Sequence, residues 1–154
     1  MTTEEKNLGR RWFEEVWNKG RREAIGEMLA PESIVHEAGL DTPGIEGFYP
    51  FFDHLRAAFS EIQVNVDDTF ADGDKSCVRW SFTAKHTGEG LGVAPSGVTV
   101  HVTGISIFRI KDNKLIEGWQ NWDMLAMMEQ IKGVGKTATY IGVPLKTTAT
   151  SHHA

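Results

Sequence analysis

The sequence holds one cysteine, Cys77, in 154 residues. A single thiol cannot close an internal disulfide, so nothing points to an oxidising compartment. Long apolar runs are missing as well. No stretch reaches the roughly 18 residues that a membrane-spanning helix needs, and MTTEEKNLGRRWFEEV has no apolar core of a secretory signal. The expected location is the cytoplasm, with no membrane partner. Positive charge is not in excess either: 16 basic against 21 acidic side chains give a net charge of −5. No basic stripe exists to follow a phosphate backbone, which excludes nucleic acid as an expected partner. HExxH, CxxC, a P-loop, GxGxxG after a strand and GxSxG are all absent, and with them the chemistries those motifs serve. His36, Glu37, His86 and His101 lack metal-ligand spacing, so neither metal nor cofactor is expected.

What is present suits one globular domain: 40% hydrophobic and 24% charged residues, in a chain long enough to bury a core. Thr2 and Glu5 have capping-box spacing, and Leu8, Trp12 and Val16 recur at helical intervals up to Gly20. RREAIGEML predicts a second helix, ended by Pro31, and SIVHEAG a short strand centred on His36. A third helix is predicted between Gly47 and Ser60, with Phe48, Phe51, Phe52, Leu55, Ala58 and Phe59 on one face and Pro50 in its first turn. From residue 62 the period changes to two. IQVNVDDTF, SCVRWSFTAKH, VTVHVTGISIFRI and KLIEGWQNW predict an antiparallel meander with turns at DGDK and KDNK and a rim loop at TGEGLGVAPSG. The fold class is α+β, with N-terminal helices packed on one face of the sheet. Residues 1–132 form the domain, and 133–154 read as a flexible or partner-docked extension.

The stretch KLIEGWQNWDMLAMMEQI runs from strand into helix and places Glu117 and Asp123 among Trp119, Trp122, Leu115, Ile116 and Leu125. Strict alternation puts Leu115, Glu117, Trp119 and Asn121 on one face, and Val78, Trp80, Phe82, Ala84 and His86 together on another strand. Carboxyl groups stripped of hydration hold their protons more tightly, which suits proton transfer near neutrality. Each candidate also has a plainer role. Glu117 can pair with Arg79 or Arg109, Asp123 can cap the last helix, and His36 can be a core histidine. His86 and His101 can face solvent or a subunit interface. Trp80, Trp119, Phe51, Phe52 and Phe59 can be core, or the walls of a cavity for flat aromatic substrates.

Taken in order, IVHEAG, AAFSEIQV, the HTGEGLGVAPSG loop, the FRIKDNKLIEGW hairpin and an E-x-W-x-x-x-D spacing resemble the SnoaL-like polyketide cyclases, over roughly residues 4–132. These belong to the NTF2-like (cystatin-like), ketosteroid-isomerase-like group. The resemblance implies an α+β cone: a curved sheet around a hydrophobic cavity, with homodimers, or tetramers, formed through the outer sheet face. It implies that Asp123 is the general acid/base and that His36 faces the cavity, together acting without cofactor on a small hydrophobic carbonyl compound by ring closure or isomerisation. Two alternatives stay open. One is epoxide hydrolysis using Arg79, Arg109 and Asp123; the other is a non-catalytic dimeric binding or interaction module.

Overall fold

Thr2 opens the first helix as its spacing predicts: its hydroxyl accepts from the Glu5 N–H, and the Glu5 carboxylate accepts from the Thr2 N–H. The computed structural model describes residues 1–37 and 39–133, together with the backbone of Thr139–Tyr140 and Val143–Pro144. Its N-terminal segment runs through α1 (Thr3–Lys6), α2 (Leu8–Trp12) and a π-helical turn (Phe13–Asn18). The wider turn lets adjacent aromatic pairs share the buried side, so Trp12, Phe13, Val16 and Trp17 are all core residues. Next come α3 (Glu23–Met28), β1 (Leu29–Glu37), β2 (Leu40–Pro43) and α4 (Gly44–Ala58). Because α4 starts three residues before the predicted Gly47, Pro50 falls in its second turn.

The predicted meander is present as β3 (Phe59–Asp72), β4 (Lys75–His86), β5 (Thr99–Lys111) and β6 (Lys114–Trp122). Asp112 and Asn113 both have positive φ, 51° and 59°, the combination a two-residue hairpin turn uses to match strand twist. β1 adds to β6 in parallel, giving the order β2-β1-β6-β5-β4-β3. β2 is a strand that sequence patterning did not reveal; four residues are too few to display a period.

The helices cover one sheet face, as expected for this α+β class. A Cβ on Gly9 of α2 would come within 2.9 Å of Val78 and 3.2 Å of Phe108, so the absence of a side chain lets the helix approach β4 and β5. Phe13 packs on Trp80 and Phe108 at ring distances of 5.5 and 6.2 Å, and Trp12 meets Phe48 edge-on at 5.1 Å. Bulges in β3 and at the β5–β6 pairing bend the sheet around this core.

After β6, α5 (Met124–Lys132) closes the described domain, with left-handed Gly133 as its C-cap. β6 pairs with β5 only as far as Gly104, and Gln130 of α5 takes over beyond it. Its side-chain amide accepts from the His101 N–H and donates to the His101 carbonyl. No helix among the described residues is long and apolar enough to cross a membrane. Within the expected extension 133–154, Thr139–Tyr140 and Val143–Pro144 pair as β7 and β8. The predicted flexible or docked character of that segment falls outside the described residues.

Candidate active site

One extra residue decides which side chains reach the interior. Ile110 pairs with Leu115 and Arg109 with Glu117, leaving Ile116 as a bulge on β6. A single inserted residue reverses the facing of everything beyond it. Leu115 is core, but after the bulge the buried positions are Gly118 and Gln120, while Glu117, Trp119 and Asn121 turn outward. The expected stripe of Leu115, Glu117, Trp119 and Asn121 is therefore corrected. Neither Glu117 nor Trp119 lines an apolar hollow.

Glu117 instead anchors a charged network on the outer sheet face. Arg109 Nη1 donates to its Oε1 at 3.0 Å, and His36 Nε2 donates to its Oε2 at 2.8 Å. The second His36 nitrogen, Nδ1, faces Asp41 at 2.8 Å, and the ring stacks on Trp119 at 5.6 Å. A histidine with a carboxylate at each nitrogen is held as imidazolium. Glu117 first, and Asp41 second, push its pKa above the usual histidine value. His36 thus lies outside the cavity, and Glu117 takes the ion-pair role with Arg109 that its sequence left open.

Asp123 is the N-cap of α5, exposed, with Oδ1 accepting the Ala126 N–H at 2.9 Å. It borders an open hollow of about 490 Å3 whose lining includes Asp67, Arg79, Trp80, Ile105, Asn121 and Trp122. Asp123 and His36, expected to work together, share no hydrogen bond among the described residues. The epoxide-opening set does not converge either: Arg109 is committed to Glu117 and Asp74, and Arg79 faces outward.

β4 alternates as predicted, with Val78, Trp80, Phe82, Ala84 and His86 buried. His86 does not face solvent. It is fully buried, and its Nδ1 accepts the Ser96 N–H at 3.1 Å, which pins the rim loop and assigns the ring proton to Nε2. His101 is an outward β5 residue beside Thr83. Phe52 and Phe59 are core, packed on Trp17 and on Phe82 and His86 respectively. Phe51 and Trp80 do line a cavity.

That cavity lies between the sheet, the N-terminal helices, α4 and α5. Its volume is about 50 Å3, with walls that include Trp12, Trp17, Phe51, Trp80 and Phe82. Its polar lining comes from Glu37, Gln120 and the Trp122 indole. Glu37 follows from β1's own alternation: Ile34 and His36 point outward, so Val35 and Glu37 point inward. It is 8% exposed, and burial pushes its carboxyl from 4.5 to about 7, against a smaller opposing pull from the Trp122 indole N–H at 3.4 Å. Gln120 accepts the Ser106 hydroxyl at Oε1, and the Ser106 oxygen accepts the Trp80 indole N–H at 2.9 Å.

Sequence reasoning passed over Glu37 because His36, one residue away, carried the family match. The usable signal was the alternation in SIVHE, which ties Glu37 to Val35. A carboxyl raised to about 7 in a cavity walled by aromatic rings, which an amide also lines, is equipped to move a proton to and from carbon.

The SnoaL-like polyketide cyclase family model matches residues 7–131. No functionally curated protein matches the chain. Among solved structures, a candidate SnoaL-like polyketide cyclase from Jannaschia sp. CCS1 is 29% identical, covering 86% of this chain and 94% of that one at a TM-score of 0.78. A candidate polyketide cyclase from Acidithiobacillus ferrooxidans is 26% identical over 88% and 99% of the two chains, at a TM-score of 0.76. AclR, a candidate hydroxylase from Streptomyces galilaeus, is 22% identical over 90% and 87% at a TM-score of 0.79, a likeness of fold alone. With the family match spanning nearly the whole described domain and the same curved sheet recurring in these structures, the chain belongs to the SnoaL-like polyketide cyclase family.

Proposed function

We propose that the protein is an acid/base enzyme acting on a small hydrophobic carbonyl compound, with Glu37 as the group that takes and returns the proton. The observation that carries this is a buried carboxyl raised to about 7 in an aromatic cavity. As carboxylate, Glu37 removes hydrogen from the carbon next to the carbonyl. The Gln120 amide donates to the oxygen on which negative charge develops. The carbanion then attacks a second carbonyl to close a ring, or is reprotonated at another carbon, and Glu37 gives the proton back. This assignment moves the base from Asp123 to Glu37.

The cavity volume of about 50 Å3 sets the scale of what enters. It corresponds to roughly three to five waters, hence a guest of about three to five non-hydrogen atoms, or the reacting end of something larger. Butanone is a fitting probe. Wild-type protein in D2O is expected to accelerate exchange of butanone α-hydrogens, read by proton NMR, and Glu37→Gln to lose roughly 10²- to 10⁴-fold of that acceleration. Equal exchange in both proteins overturns the assignment.

The partner proposed on the outer face is a second copy of the chain. Ile34, Ile105 and Ile107 are 40%, 50% and 39% exposed there, apolar side chains that a second copy would cover. Light scattering of wild type and Ile105→Lys, with only the variant monomeric, is the expected result.

A further inference from the structure

The Gln120 side chain has two ends of opposite character: an oxygen that accepts and a nitrogen that donates. Which end meets the cavity is decided two groups away. The Trp80 indole nitrogen only donates, and its N–H is spent on the Ser106 oxygen at 2.9 Å. Ser106 has one hydroxyl hydrogen, and it goes to Gln120 Oε1. A flipped amide would put N–H2 against an oxygen that already receives a donor, and would take away the acceptor that the Ser106 hydroxyl hydrogen now has. All three groups are buried: Trp80 is 7%, Ser106 0% and Gln120 6% exposed. Inside the protein such an orphaned donor is costly, so the relay runs in one direction.

We propose that Trp80 and Ser106 are positioning residues that hold the Gln120 amide nitrogen toward the cavity, so that the pocket selects ligands presenting a carbonyl-type acceptor oxygen. The inference rests on the Glu37 cavity being the reaction site, but it concerns recognition rather than turnover. A ketone seated with its oxygen at Gln120 has its neighbouring C–H bonds free to face the rest of the cavity, where Glu37 stands. Ligands that offer only N–H or C–H groups find a donor facing them.

Two probes of matched shape separate the contributions: butanone, and 2-methyl-1-butene, which has a methylene in place of the carbonyl oxygen. Their affinities are read from intrinsic tryptophan fluorescence, and the measured quantity is the ratio of the two Kd values. Relative to wild type, Gln120→Leu is expected to shift that ratio about tenfold against the ketone, the equivalent of one hydrogen bond. Ser106→Ala and Trp80→Phe, which leave Gln120 in place but free its orientation, are expected to shift it several-fold the same way. Ser106→Thr keeps the hydroxyl and is expected to restore the wild-type ratio.

A merely structural role for Ser106 and Trp80 would change both affinities together and leave the ratio alone; that result overturns the proposal. An effect of Gln120→Leu without any effect of Ser106→Ala and Trp80→Phe overturns the positioning claim, as does a wild type that binds neither probe. Absence of deuterium exchange with an intact binding ratio would instead fault the Glu37 assignment.

Discussion

Replacing Glu37 with glutamine is expected to stabilise the protein at alkaline pH while removing the proposed base. The wild-type carboxyl is raised from 4.5 to about 7, so the folded state holds its proton more tightly than the unfolded chain does. Its stability contribution is therefore greatest below 4.5, falls as pH rises between 4.5 and 7, and is fully lost above 7. The full range corresponds to about 3 kcal/mol, and the part between pH 5 and pH 8.5 to about 2.5 kcal/mol. At 8% exposure, solvent screening removes little of this. Glutamine has the shape of the protonated acid and cannot ionise. Urea unfolding followed by tryptophan fluorescence should find the two proteins close at pH 5 and Glu37→Gln more stable by about 2.5 kcal/mol at pH 8.5, a difference of roughly 5–10 °C in Tm. His36 also loses stabilising power as pH rises, since its pKa is raised, but it lies on the opposite face and is common to both proteins. Its effect cancels in the comparison. Parallel stability curves, or a wild type that gains on the variant with rising pH, would refute the claim that this carboxyl is desolvated.

Three further outcomes are expected. In NMR titrations His36 should lose its proton above the ordinary 6.5, and Glu117→Gln should lower that midpoint, because Glu117 is the larger cause of the shift; an unchanged midpoint would contradict the network. Asp123→Ala should cost about 1 kcal/mol through the lost cap and leave butanone exchange intact, whereas abolished exchange in a folded variant would return the base to Asp123. Gly104→Ala would drive a Cβ into the Trp80 indole, and a loss of roughly 1–3 kcal/mol in urea unfolding is expected, with Trp80 displaced from Ser106.

The helices and the four-stranded meander were legible because long periodic segments announce themselves. Leu8, Trp12 and Val16 fall on one helix side, and β4 and β5 alternate over 12 and 13 residues. Facing is a finer property than existence. On β6 it hinges on Ile116, an ordinary strand residue whose status as an insertion exists only in the pairing of Ile110 with Leu115 and Arg109 with Glu117. A period of two carried straight through that point assigns every later side chain to the wrong side, Glu117 and Trp119 to the face of Leu115 among them.

The same parity question arises on β1, where His36 and Glu37 are neighbours that necessarily face opposite ways. Choosing the histidine for the interior commits the acid to solvent; the fold does the reverse. The result separates two charge states physically. The imidazolium stays outside between two carboxylates, where its charge is paired, while the carboxyl goes where its charge is disfavoured and its proton is available near neutrality. A one-residue change of register in β1 would exchange these environments. The chemistry proposed for this cavity therefore depends on strand register as directly as on the identity of Glu37.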